Sequence, residues 1–224
     1  KGETITGTVF VIGKPEGEDS TKSRSVLVTA AHVFDDIAED HAVLHLRKQT
    51  GANQWKRFRY PLRIRNEGRP LWVKHPDADV AAMYIKFPEG VIPKQLGAQL
   101  LADDATLQDF DIHPGDNLIC LGFPSGLESG AEEGFPILRS GRIASYPLLP
   151  TRQRKTFLFD FEIFGGNSGG PVYFVDSNRT YNRKTHLGQT VQLLVGLVSA
   201  EMIAFQKPEK ADDERKVLYP FKLA

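Results

Sequence analysis

The sequence predicts an all-β fold built from two small antiparallel barrels. Short apolar, β-branched runs recur along the chain and are separated by turn clusters. About eleven or twelve such runs, with almost no helical pattern, suit two barrels better than one sheet. The 20 glycines and 14 prolines supply the turns. At 224 residues the chain can bury a full core without disulfides or a metal staple. Its 28 basic residues balance 28 acidic ones, and 41% of the chain is hydrophobic. That composition excludes bulk disorder, collagen and a wholly basic nucleic-acid binder. No apolar run approaches the ~18 residues of a membrane-spanning helix. A single cysteine, Cys120, excludes an internal disulfide framework and a cysteine-based zinc ribbon. The chain opens at Lys1 rather than Met, so an upstream segment is expected, and the residues themselves fix no compartment.

Residues Thr4–Ile12 (TITGTVFVI) form the first expected strand, ended by Gly13-Lys14-Pro15. The polar stretch Glu16–Ser25 reads as a loop or hairpin end. Ser25–Ala30 (SVLVTA) is a continuous apolar run and so a buried strand. Ala31–Asp40 suits one helical turn, and His41–Leu46 another strand. Phe58, Tyr60, Leu62 and Ile64 then alternate with Arg57, Arg59, Arg63 and Arg65, the period of a half-buried strand with a basic outer face. Leu71–Lys74 and Asp79–Ile85 follow. The Pro-containing stretch 88–115 reads as a connector, with one barrel in residues 1–104 and the other in 105–224. Strands resume at Asn117–Gly122, Gly141–Ser145, Thr156–Phe161, Pro171–Val175 and Gln192–Ala200, with a last one near Lys216–Tyr219. Pro124–Gly134 and Asp176–Gly188 are polar, Gly-containing stretches expected to be mobile loops, and Gln206–Arg215 is charged and turn-like.

Three segments carry chemistry. Ser168 sits in Gly165–Pro171 (GGNSGGP). Flanking glycines permit the tight backbone that exposes a nucleophilic hydroxyl, and they let N–H groups converge where an oxyanion would form. The same letters satisfy G-x-S-x-G, the elbow that leads from a strand into a helix. Here the serine is followed by Gly-Gly-Pro and a strand-like VYFV, and the only histidine downstream, His186, lies in a polar stretch. His32 closes the buried run VLVTAAH, where it is either a catalytic base facing a cleft or a histidine merely ending a strand. Asp79 opens DVAAMYI. A carboxylate at the mouth of a buried strand needs a partner, and an imidazole is a natural one. It is otherwise a strand-capping Asp, and Asp77 is the rival acid at the same turn.

The order His32, Asp79, Ser168 is far more specific than any member alone. TAAH, DVA and GNSGGP in that order resemble the trypsin/chymotrypsin superfamily. LICLGFPSG at 118–126 and LRSGRIAS at 138–145 resemble the opening of its second barrel, and LVGLVS at 194–199 resembles the strand lining its cleft. The absence of disulfides, and GNSGGP in place of GDSGGP, are most similar to the bacterial Htr/Deg-like branch, which points to an extracytoplasmic setting. The resemblance implies two six-stranded chymotrypsin-like barrels with the active site in the cleft between them. It implies a serine endopeptidase in which Ser168 attacks, His32 takes the proton and Asp79 holds His32. The backbone N–H groups of Gly166 and Ser168 would form the oxyanion hole. No metal or cofactor is needed, and the partner is a protein or peptide substrate. Asn167 stands where digestive relatives carry Asp, so activation by a buried N-terminal amine is not expected. By the same resemblance Glu162, Ile163, Phe164, Ser199, Ala200 and Glu201 line the substrate pocket, with the side-chain preference left open. The competing reading is a latent or non-catalytic member of this fold that binds peptide or nucleic acid.

Residues 47–74 hold nine Lys/Arg against one acid, Glu67, with Trp55, Phe58, Tyr60 and Trp72 interleaved. This pattern suits a nucleic-acid or acidic-partner surface. Its clean alternation favours a solvated strand face instead. His41 and His45 share a strand face, but that spacing spans about 13 Å, too far for one metal ion. Cys120 lies in an apolar run and reads as a buried core thiol. Arg152–Lys155 (RQRK) reads as an exposed loop.

Overall fold

The structure, a computed structural model, describes residues 6–16, 19–89, 91, 95–204 and 219–223, the side chains of 19–22, 200–204 and 219–223 excepted. In the first half of the chain β1 (Phe10–Glu16) and β2 (Asp19–Thr29) form a hairpin, followed by the single helical turn α1 (Ala31–Asp35). Then come β3 (His41–Gly51), β4 (Gln54–Arg63), the two-residue strands β5 (Arg65–Asn66), β6 (Arg69–Pro70) and β7 (Val73–Lys74), and β8 (Ala81–Ile85). The connector holds β9 (Leu96–Gly97) and a helix, α2 (Asp104–Asp109). The second half contains β10 (Asn117–Gly122), β11 (Ile137–Ile143), β12 (Leu158–Asp160), β13 (Pro171–Tyr181), β14 (Lys184–Leu197), β15 (Ala200–Ala204) and β16 (Tyr219–Leu223). Five strands form one sheet, in the order β7-β8-β2-β1-β9, and seven form another, in the order β14-β13-β10-β11-β12-β16-β15. Strands β3 and β4 pair as a separate two-stranded ribbon. The architecture is all-β, as the sequence predicts.

Several local expectations are corrected. The first strand begins at Phe10, so Thr8 lies in the extended lead-in. The stretch 16–25 is largely strand, because β2 starts at Asp19. The stretch Asp176–Gly188 is no loop: β13 and β14 run through it and turn at Asn182-Arg183, whose φ values are 51° and 60°. Two successive positive φ angles are the signature of the tight turn that matches the twist of a hairpin. The connector hides α2, whose start is capped by Asp103 accepting the Thr106 N–H at 2.8 Å. The connector also adds one parallel pairing, Ile12 and Gly13 of β1 with Leu96 and Gly97 of β9. Of the expected last strand only Tyr219 is described, and Gln206–Arg215 lies outside the described residues.

Alternation along these strands builds separate apolar clusters. Leu27, Phe34, Ile64, Trp72 and Met83 fill the first. Leu118, Cys120, Phe159, Val172 and Phe174 fill the second. A third joins Val28, Ala30 and Val33 to Leu197 of β14 and so ties the first sheet to the second. Each large side chain buried here contributes about 1.5–3 kcal/mol. Phe159, fully buried and 4.1 Å from the Phe161 ring centre, is among the largest fully buried side chains, so its loss would open a large void.

Candidate active site

His32 does not end a strand. Strand β2 stops at Thr29, and His32 sits in the first turn of α1, flanked by the buried Ala31 and Val33. That anchoring leaves the imidazole half-exposed, at 40%. Asp79 lies in the bend two residues before β8, not on the strand itself. Its carboxylate takes three bonds. Oδ2 meets His32 Nδ1 at 2.6 Å and accepts the Ser199 hydroxyl at 2.8 Å, while Oδ1 accepts the His32 backbone N–H at 2.9 Å. Burial alone would raise the carboxyl's pKa. The bonds from the His32 ring, the His32 backbone and Ser199 outweigh it and hold the group below its ordinary value. Asp77, the rival acid, is exposed and pairs with Lys155. It sits beside an open hollow that His75, Pro76, Thr151 and Arg152 also line.

Ser168 is followed, after Gly169 and Gly170, by β13 and not by a helix, so the strand-to-helix elbow is excluded. Backbone contacts set its loop. The Thr8 N–H donates to the Ser168 carbonyl at 2.8 Å, the Thr8 hydroxyl to the Gly166 carbonyl at 2.7 Å, and the Thr29 hydroxyl to the Thr8 carbonyl at 2.7 Å. Thr8 and Thr29 are 3% and 0% exposed. Gly169 adopts φ +82°, and a Cβ there would collide with the Thr29 hydroxyl and the Thr8 carbonyl. The serine loop is thus pressed against the strand that leads into His32. Among the described residues Ser168 Oγ makes no hydrogen bond, to His32 or to any other group.

Within the loop the N–H groups of Asn167, Gly169 and Gly170 are bonded to the carbonyls of Phe164, Val198 and Asn167. Those of Gly166 and Ser168 have no partner among the described residues. In a trans peptide the N–H points opposite to the C=O. The Gly165 carbonyl accepts the Ser125 N–H at 2.6 Å, so the Gly166 N–H points away from Ser125. The Asn167 carbonyl accepts the Gly170 N–H at 2.8 Å, so the Ser168 N–H points away from that turn. Gly166 holds φ +95°, and a Cβ there would collide with the Phe123 carbonyl.

The expected pocket residues fall in different places. Glu162 turns its side chain to solvent, 71% exposed, 3.8 Å from Arg139. Ile163 is buried in the second core, and Phe164 is exposed beneath the Arg139 guanidinium. Ser199 faces Asp79. Ala200 and Glu201 begin β15, and their side chains lie outside the described ones. His186 is on β14, not in a loop, and stacks on Tyr181 at 3.9 Å. Thr8, Thr29 and the Ser199 hydroxyl were not singled out for these roles by sequence. Thr29 and Ser199 are lone hydroxyls within or at the end of apolar runs, and Thr8 is the last hydroxyl before one, where a buried polar group requires a partner.

Comparison with individual curated proteins returned no match. The sequence does match the family of trypsin-like peptidase domains over residues 6–179. That span is well over half the chain, takes in His32, Asp79 and Ser168 and ends within β13. With its all-β, chymotrypsin-like architecture and its histidine–aspartate pair, the chain belongs to the trypsin-like peptidase domain family, hydrolases that act on peptide bonds.

Proposed function

We propose that the protein is a serine endopeptidase using His32, Asp79 and Ser168. The observation that carries the reading is the Asp79 carboxylate receiving the His32 ring, the His32 N–H and the Ser199 hydroxyl together. A carboxylate at Nδ1 keeps the proton there and leaves Nε2 as the base. Ser168 Oγ then attacks the substrate carbonyl carbon while His32 Nε2 takes the hydroxyl proton. The N–H groups of Gly166 and Ser168 receive the oxyanion. On collapse the C–N bond breaks and His32 returns the proton to the leaving amine. Water, activated by His32, then releases the acyl group from Ser168.

Asn167, fully buried and uncharged, supports activity that needs no N-terminal ammonium partner. Residues 1–104 and 105–224 serve in this reading as the two barrels of one protease unit, which resembles the Htr/Deg-like branch. A serine-reactive fluorophosphonate tests the reading. Labelling of the wild type but not of Ser168→Ala, with strong loss in His32→Ala, is the expected result. No labelling of folded wild type would favour the latent or binding-module reading.

A further inference from the structure

The β3–β4 ribbon has an unfavourable register. Arg47 stands directly opposite Arg57, His45 opposite Arg59 and Lys48 opposite Lys56. Like charges placed across a strand pair repel. Arg47 is largely buried, its side chain 18% exposed. That burial, with the neighbouring Arg57 charge, lowers its pKa to about 10. His45 is also held below its ordinary value, first by burial and then by Arg57, Arg47 and Arg59. Among the described residues one carboxylate answers this cluster. Glu128, 19% exposed, pairs with Arg57 Nη1, and its Oε1 lies 3.8 Å from Arg47 Nη2 and 3.9 Å from His45 Nδ1.

Glu128 belongs to the segment between β10 and β11, and the ribbon grips that segment at several further points. The Arg57 N–H donates to the Glu132 carbonyl at 3.1 Å, and Arg47 Nε donates to the Glu133 carbonyl at 3.3 Å. Arg47 lies over the Phe123 ring, and Trp55 meets Phe135 edge-on at 6.0 Å. The segment's other side touches the serine loop. Its Ser125 N–H donates to the Gly165 carbonyl at 2.6 Å and its Phe123 N–H to the Gly166 carbonyl at 3.4 Å. Those two carbonyls flank the Gly166 N–H.

We propose that Glu128 is a positioning residue: its ionic clasp on Arg47 and Arg57 holds segment 123–135 so that the Gly165–Gly166 peptide presents its N–H to the oxyanion. The inference rests on the protease reading above. Without the carboxylate, two arginines face each other with no other carboxylate paired to them among the described residues. The segment then moves off the ribbon and takes the Ser125–Gly165 bond with it.

The test pairs Glu128→Gln and Glu128→Asp with the wild type, in the full chain. Removal of a whole oxyanion donor costs about 10²–10³-fold in rate. A displaced donor is therefore expected to slow fluorophosphonate labelling about tenfold or more in Glu128→Gln, with peptide KM nearly unchanged. Glu128→Asp, which keeps the charge, should recover part of the rate. Hydrogen exchange is the second readout. Glu128→Gln should speed exchange both in 123–135 and in 163–170, where the Asn167, Gly169 and Gly170 N–H groups report. Faster exchange confined to 123–135, or no change in either stretch, would overturn the proposal. If Glu128→Gln does not fold, Glu128→Asp is read on the same two measurements, with smaller changes in both stretches expected and unchanged 163–170 overturning it. If the wild type itself is not labelled, the protease reading fails, and the exchange comparison still decides the clasp.

Discussion

The Asp79–His32 end of the proposed site and the Ser168 end are held by different means. Asp79 is fixed by side chains: an imidazole, a hydroxyl and one backbone N–H converge on it. Ser168 is fixed through its backbone, with Thr8 bonding its carbonyl and Gly169 fitted against Thr29. The first end can therefore lose its chemistry without losing its shape. The second cannot tolerate even a methyl group at the wrong glycine.

Substitutions at the two ends should separate these effects. Asp79→Asn should give the largest rate loss, on the order of 10⁴-fold, as expected when an amide replaces the carboxylate that sets a histidine tautomer. Its melting temperature should stay close to wild type, and a drop as large as the next variant's would erase the contrast. Gly169→Ala should lose labelling by about 10²-fold or more and also lose about 2–4 kcal/mol of stability in urea unfolding, since it combines a forbidden φ with a collision. Normal stability would mean that the loop is not pressed against Thr29. Thr29→Val should cost about 1–3 kcal/mol, because the Thr8 carbonyl loses its buried donor. Ser199→Ala, at a half-buried position, should cost about 1 kcal/mol and slow acylation only modestly.

The smallest effect is in pH dependence. The folded Asp79 pKa lies below its unfolded value of about 3.9. Its stabilisation is therefore complete above that value and is lost as pH falls through the folded one. Acid unfolding of Asp79→Asn should accordingly be shallower below about pH 4 than that of the wild type. Parallel acid limbs would remove Asp79 from the account.

The same division explains what could be read from the sequence. The proposed chemistry sits on short segments with strong local constraints, so TAAH, the acid before VAAMYI and GNSGGP are visible in one dimension. Asp79 could be preferred to Asp77 because its neighbours are apolar, and the structure turns Asp77 outward to Lys155. Strand β10 shows itself as an unbroken apolar run. The far ends of β13 and β14 do not, because they carry polar residues on an exposed hairpin and turn at Asn182-Arg183 without a glycine. Helix α2 is too short for a periodic signal, although Asp103 three residues before Thr106 is a capping cue. The basic ribbon had a clear alternation but no visible counter-charge. Glu128, 71 residues from Arg57, becomes its partner only through the fold.

The threonine bonds have a thermal consequence. Thr8 and Thr29 belong to the part of the chain that builds the first core, and their hydrogen bonds end on or lead to the loop that carries Ser168. Warming that parts the two cores would draw the serine out of register while each core is still intact. If the serine protease reading holds, labelling of Ser168 should fall some degrees before the protein melts and return on cooling; loss of both at one temperature would mean that the apolar cluster around Leu197, not these hydroxyls, sets the junction.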